Sequence, residues 1–245
     1  MPKIFKVGGC VRDKILGVDS KDIDFTFVLD NLDRTVEEGF DIMTKWLEHH
    51  EFEIFLSTPD CFTIRAKFPK VHQFAGLVAD FVMARKEVGY VEGTRRPILE
   101  LGTLEDDLIR RDFTLNAMAE DEHGNLIDLF GGLEDLKKGI LRTPLPAEQT
   151  MMDDPLRFLR ALRFKITKGF DIDRDILKAM QQPDIKAKLR QTVSAERIRE
   201  EVFKMMKHDT VKTLRMIQHI DEDFIPGFTG LIFDRGLWLK PTFEQ

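Results

Sequence analysis

Apolar and polar positions along the chain fall into two regimes. Up to about residue 142, runs with a period of two alternate with short stretches at helical spacing; beyond about residue 145 only the helical period remains. "KIFKVGG" reads as a strand ending in a glycine turn, and "VRDKILG" as a short helix stopped by Gly17. "DIDFTFVL" alternates polar and apolar residues and is predicted as a strand, with Asp22 and Asp24 on one face. "RTVEEGFDIMTKWLEHH" has helical spacing, and "FEIFLS", "FTIRAKF" and "GLVADFVMAR" are three further strands. "EVGYVEGTRRP", glycine-rich and charged, reads as a loop. "TLEDDLIRR" is a helix capped by Thr103 with acids in its first turn, and "GNLIDLFGG" is a turn, a short strand and a turn. Helices then follow in "DDPLRFLRALRFKITKG", "DRDILKAMQQ", "SAERIREEVFKMMKH" and "VKTLRMIQHI". The last stretch, "DEDFIPGFTGLIFDRGLWLKPTFEQ", shows no clear period. The pattern divides the chain into an α/β part, an all-helical part and a short extension, with no repeat and no low-complexity segment.

Composition narrows this little. A chain of 245 residues with 42% hydrophobic side chains suits one large or two small domains with a real core. No apolar run is long enough to span a bilayer, and the N-terminus lacks the layout of a signal peptide, so no membrane role and a cytoplasmic location are expected. Cys10 and Cys61 match no zinc spacing and are expected to be reduced and structural. Charge changes the picture more. The net charge of −6 argues against nucleic-acid binding, but its distribution argues otherwise. Residues 1–136 hold 16 Lys/Arg and 27 Asp/Glu; residues 156–219 hold 16 Lys/Arg and 8 Asp/Glu. An acidic first part suits cations and a basic second part suits a polyanion, although solvated helix faces would leave the same statistics.

Four constellations carry possible chemistry. Asp22 and Asp24 suit a divalent ion, with Asp80 as a third carboxylate from a neighbouring strand; a solvated strand face also produces D-x-D. Gly8 and Gly9 bring bare backbone amides before a helix, and Arg12 adds a guanidinium fork, which together suit a triphosphate; a plain strand-to-helix turn is the alternative. In "RRDFTLNA", Arg110 and Arg111 reach phosphates while Asp112 and Asn116 suit ribose hydroxyls, or the four form a helix-end charge pair and cap. In "DDPLRFLRALRF", Pro155 fits a first helical turn, placing Asp154, Arg157 and Arg160 near one stripe while Leu156, Leu159 and Leu162 serve the core. A carboxylate only accepts and a guanidinium only donates, so Asp154 with Arg157 matches the amino and ring-nitrogen edge of cytosine or adenine and rejects uracil or guanine. A surface ion pair is the simpler alternative.

Five motifs in this order, "VGGCVRD…DIDF", "EDDLIRRDFTLNAMAED", "GNLIDLFGGLEDLKKGILRT", "DDPLRFLRALRF" and "SAERIREEV", resemble those of class II tRNA nucleotidyltransferases, the CCA-adding enzymes, and of the related bacterial poly(A) polymerases. The resemblance spans about residues 4 to 205. It implies an α+β architecture: a polymerase-β-like nucleotidyltransferase head of small mixed sheet and helices over 1–142, an all-helical neck over 143–220, and a C-terminal extension over 221–245. It implies that Asp22 and Asp24 bind two Mg²⁺, that Gly8, Gly9 and Arg12 hold the triphosphate, and that Arg111, Asp112 and Asn116 bind phosphate and sugar. It implies that Asp154 and Arg157, with Arg160 on the same helix, select the base, and that Glu196, Arg197 and Glu201 prop the selecting helix. "RKEVGYVEGTRRP" is similar to the loop that CCA-adding members need for the final A.

The implied reaction adds C and A from CTP and ATP to the 3′ end of tRNA, at its acceptor stem, and releases pyrophosphate. Lys204, Lys207 and Lys212 are expected to contact the RNA. Full-length bacterial members begin with a further helix and continue through body and tail domains that grip the tRNA elbow, so the resemblance is to a short form. The alternatives are a poly(A) polymerase, a CC- or A-adding enzyme, and an RNA-binding protein without catalysis. Against the poly(A) reading, "CFTIRAKFPKVHQFAG" stands where those relatives carry a run of Arg and Phe before the third carboxylate.

Overall fold

The computed structural model describes residues 2–20, 22–72, 74–90 and 97–234, and the chain divides into two units, Met1–Leu133 and Glu134–Gln245. The first unit runs β1 (Lys3–Val7), α1 (Gly9–Ile15), β2 (Ile23–Val28), α2 (Val36–His49), β3 (Glu53–Thr58), β4 (Thr63–Lys67), β5 (Val78–Met83), β6 (Arg85–Tyr90), β7 (Pro97–Leu101), α3 (Leu104–Ile109), β8 (Met118–Glu120) and β9 (Leu126–Asp128). Seven of these strands form one sheet in the order β3-β4-β5-β2-β1-β8-β9. The β2–β5 pair is parallel; the other pairs are antiparallel.

Alternation along β2 sorts its side chains. Ile23, Phe25 and Phe27 join a core with Phe40, Met43 and Leu47 of α2, and Phe25 stacks on Phe81 at 5.0 Å between ring centroids. The opposite face of β2 carries Asp24 and Thr26. Thr35 and Thr103 start α2 and α3 with reciprocal capping boxes, each worth about 1 kcal/mol.

The second unit takes in most of α4 (Gly132–Lys138), which begins just before the division, then β10 (Ile140–Leu141), α5 (Ala147–Asp153), α6 (Leu156–Lys168), β11 (Asp171–Ile172), α7 (Arg174–Gln181), α8 (Pro183–Thr192), α9 (Ala195–Asp223) and α10 (Phe228–Phe233). Helix α6 supplies the centre of its core. Phe158, Leu159 and Leu162 are completely buried, and Phe158 meets Phe228 of α10 edge-on at 5.5 Å. Helix α6 packs along α9. The α9 backbone breaks at Asp209 (φ −155°, ψ 100°), whose Oδ1 accepts from the Lys212 amide at 2.8 Å, so the two predicted helices meet at a capped kink.

Several expectations need correction. Residues 87–90 of the predicted loop are strand: they end β6, which pairs antiparallel with β7, with an irregularity between Glu87 and Gly89. A glycine weakens the local strand signal, yet pairing with a partner strand overrides it. Residues 91–96 of that loop lie outside the described residues. The predicted helix over "DDPLRFLRALRFKITKG" is interrupted: Asp154 is extended (φ −141°, ψ 100°) and Pro155 is the N-cap of α6. Asp154 therefore precedes the stripe that holds Arg157 and Arg160. The all-helical part contains one small strand, β11, paired parallel with β10. Pattern reading missed α8, whose only fully covered residues are Ile185 and Leu189, and the six-residue α10. No helix among the described residues is long and apolar enough to cross a membrane.

Candidate active site

The acids of the first unit meet at the sheet. Asp24 lies directly opposite Asp80 in the β2–β5 register, and Asp80 lies opposite Arg65 in the β4–β5 register. Asp22 stands immediately before β2 rather than within it, and it is exposed. Burial raises the Asp24 carboxyl above its ordinary range; the Arg111 charge opposes this, while Asp80 and Asp22 push it higher. Three acids thus lie near one another, and the half-buried one resists ionising. Like charges this close favour a positive group beside them, and the Arg111 guanidinium is one.

Among the described residues, no three His, Cys, Asp or Glu side chains close into a ready-made metal cage. Asp80 is already paired: its two oxygens accept from Arg65 Nε and Nη2, both at 2.7 Å. Asp22 and Asp24 remain. Two carboxylates completed by phosphate oxygens is the donor set that Mg²⁺ commonly takes, so these residues fit the ion.

Gly8 forms the turn beside this cluster with a left-handed backbone (φ +76°). A Cβ placed there would stand 2.8 Å from Arg111 Nη1 and 3.8 Å from Asp24 Oδ2. Only glycine leaves that space open. Gly9 starts α1, and Cys10 behind it donates to the Val7 carbonyl at 3.2 Å. Burial pushes the Cys10 thiol up, consistent with a structural cysteine, whereas Cys61 is exposed.

Arg12 is buried. Its Nε and Nη2 bind the Asp13 carboxylate at 2.9–3.0 Å, and its Nη1 donates to Asn116 Oδ1 at 2.6 Å. Asn116 Nδ2 in turn donates to Asp112 Oδ1 at 2.9 Å. Arg12, Asn116 and Asp112 therefore form one chain of bonds that ties α1 to the segment after α3. Arg110 ends α3 as its C-cap, and Arg111 Nη2 donates to Asp107 Oδ2 at 2.8 Å. Gly132 packs against this segment: a Cβ there would collide with the Thr114 carbonyl oxygen.

In the second unit, Asp154 Oδ1 accepts from the Leu156 amide at 3.1 Å and Oδ2 accepts from Arg197 Nη2 at 2.9 Å. Arg157 Nη1 donates to the Thr150 carbonyl at 3.2 Å. Glu201, almost fully buried, accepts from Arg163 Nε of α6 at 2.5 Å. Arg197 and Glu201 thus reach the start and the middle of the α6 region from α9. Glu196 lies in the first turn of α9. Arg160 is on α6, one turn beyond Arg157. Lys204 lies 3.6 Å from Glu201 and 3.9 Å from Glu200, while Lys207 and Lys212 are exposed.

Three residues at the head site escaped sequence reasoning: Arg65, Thr26 and Asp107. The Asp107–Arg111 spacing of four was visible as a helical ion pair. The bond of 2.8 Å from Thr26 Oγ1 to Asp107 Oδ2 spans 81 residues and left no local signal.

The first unit thus joins a mixed sheet, one aspartate on a central strand with another just before it, and a glycine turn, the arrangement expected of a polymerase-β-like head. The family described as the poly A polymerase head domain matches residues 4–142, and this chain belongs to it. It is 35% identical over 221 residues to the mitochondrial CCA tRNA nucleotidyltransferase of Saccharomyces cerevisiae, covering 86% of this chain and 40% of the relative. It is also 35% identical over 219 residues to the multifunctional CCA protein of Neisseria gonorrhoeae, covering 87% and 47%. The chain thus spans less than half the length of these relatives. Among solved structures, the Bacillus stearothermophilus CCA-adding enzyme in complex with CTP matches with a TM-score of 0.69 and 29% identity, covering 94% of this chain and 51% of that one. A tRNA nucleotidyltransferase complexed with a primer tRNA and an incoming ATP analog matches with a TM-score of 0.66 and 29% identity, covering 90% and 59%.

Proposed function

We propose that this chain carries Mg²⁺-dependent tRNA nucleotidyltransferase activity, adding C and A to the tRNA 3′ end from CTP and ATP. The observation that carries the reading is the grouping of Asp22 and Asp80 about half-buried Asp24, beside Arg111 and the Gly8 turn. The named relatives support it, since they are CCA-adding proteins.

In this reading Asp22 and Asp24 hold the cation, which lowers the pKa of the attacking hydroxyl and offsets charge on the triphosphate. The backbone at Gly8 and Gly9 and the Arg111 guanidinium orient the phosphates. Arg12, Asn116 and Asp112 keep the turn and the sugar side in register. The RNA 3′-hydroxyl oxygen bonds to the α-phosphorus, the bond from that phosphorus to its bridging oxygen breaks, and pyrophosphate leaves with the hydroxyl proton lost. Positioning supplies much of the rate. Asp154 and Arg157 select the base, Arg160 lies beside them, and Glu196, Arg197 and Glu201 hold their helix. Lys204, Lys207 and Lys212 bind RNA phosphate, a cytoplasmic setting being the simplest.

The test is incubation of the purified chain with Mg²⁺ and tRNA lacking its CCA end, with each NTP alone and with ATP added after CTP. CTP incorporation, then ATP only after CTP, is the expected outcome; no incorporation overturns it. Because the family description covers poly A polymerases, open-ended ATP tailing is the second reading, and it separates in the same assay.

A further inference from the structure

Thr26 and Asp107 stand beside the site without a role in it. Thr26 is fully buried on β2, two residues from Asp24 on the same face. Asp107 is 3% exposed in α3. Asp107 Oδ2 accepts two hydrogen bonds of 2.8 Å, one from Thr26 Oγ1 and one from Arg111 Nη2. Arg111 Nη2 also lies 3.4 Å from Thr26 Oγ1, and Asp107 Oδ1 lies 3.8 Å from Arg110. One edge of the Arg111 guanidinium is thereby fastened to the strand that carries Asp24. The other edge, through Nη1, reaches the Gly8 turn.

The arrangement matters because of what surrounds it. Asp107 is the acid that Arg111 binds, while Asp24 Oδ2 lies close by at the Gly8 turn. A released arginine, still carrying its charge, would close onto the carboxylates that a cation needs. We infer that Asp107 and Thr26 are positioning residues that hold Arg111 at the glycine turn, for phosphate, and off Asp24. The inference rests on reading Asp22 and Asp24 as the cation pair.

Binding of Mn²⁺ alone, followed on the full chain by electron paramagnetic resonance of the free ion, tests it without turnover. Asp107→Asn and Thr26→Val should each weaken Mn²⁺ binding about fivefold to tenfold, and Thr26→Ser should restore it. In an Arg111→Ala background neither change should matter, because no arginine remains to be held. Equal losses with and without Arg111 would show a general charge or packing effect and overturn the inference. Thr26→Val answers the question with no change of charge, so poor folding of Asp107→Asn does not decide it. If Asp24→Asn leaves Mn²⁺ uptake untouched, the cation-pair reading fails and the inference with it. If uptake depends on Asp24 but the cycle is additive, the inference alone fails.

Discussion

Arg65 binds Asp80 through two hydrogen bonds of 2.7 Å, across adjacent strands and in register with Asp24. This pair divides the three acids into one that is already neutralised and two that are not. Asp24→Asn should therefore lower kcat by at least about a thousandfold, since losing a ligand removes several kcal/mol of charge stabilisation. Asp80→Asn should cost about tenfold or less. Asp24→Asn should also leave the fold at least as stable at neutral pH, because burial raises the Asp24 pKa and its ionised form is a burden there. Steady-state rates and urea midpoints of the two variants check this; equal losses of rate would make Asp80 a full partner.

Gly8→Ala places a methyl group 2.8 Å from Arg111 Nη1 on a backbone with φ +76°. The strain costs on the order of 1–2 kcal/mol of stability. The displaced arginine should raise KM for the nucleotide about tenfold or more. KM for CTP and ATP, measured well below the melting temperature, distinguishes this from simple loss of fold; an unchanged KM would move the phosphates away from the turn.

Asp107 gives a pH signature. Burial pushes its carboxyl up, but the Arg111 charge and hydrogen bond, with Arg110 and Thr26, outweigh this and hold it below its ordinary 3.8. A depressed acid contributes stability that is fully present above the unfolded value and lost as pH falls through the folded one. Wild-type stability should therefore drop below about pH 4. Asp107→Asn should be less stable at about pH 6, by roughly 3 kcal/mol, with a flatter acid limb. Denaturant midpoints across that range decide it, and parallel acid limbs would count against the assignment.

The second unit separates stability from selection. Glu201 is buried against Arg163, so Glu201→Gln should destabilise by about 3 kcal/mol. The Arg197–Asp154 pair is more exposed, and Arg197→Ala should cost under about 1 kcal/mol. It should nonetheless free Asp154 and relax rejection of UTP and GTP by about tenfold, the worth of one well-placed hydrogen bond. kcat/KM for all four NTPs measures the second effect; an unchanged ranking would leave Asp154 a structural link between α6 and α9.

The parts that could be read from sequence were those with local causes. Strands β2 and β4 alternate, Thr35 and Thr103 precede acids at capping distance, and Gly8 sits between a strand and a helix. The carboxylates of Asp24 and Asp80 could be paired because both lie on strong strands. What stayed hidden had remote causes. Arg65 reaches Asp80 only through the β4–β5 register, and Thr26 meets Asp107 across 81 residues. β6 looked like a loop because its partner β7, not its own composition, makes it a strand. Asp154 looked helical by spacing, but the proline after it favours an extended residue.

The most direct measurement is the sequence of RNA 3′ ends after reaction of the chain with Mg²⁺, CTP, ATP and tRNA lacking its CCA end. Wild type should yield ends reading CCA and stop there, and Asp24→Asn should return the starting RNA unchanged. Unaltered ends with wild type, or additions that persist in Asp24→Asn, would contradict the account.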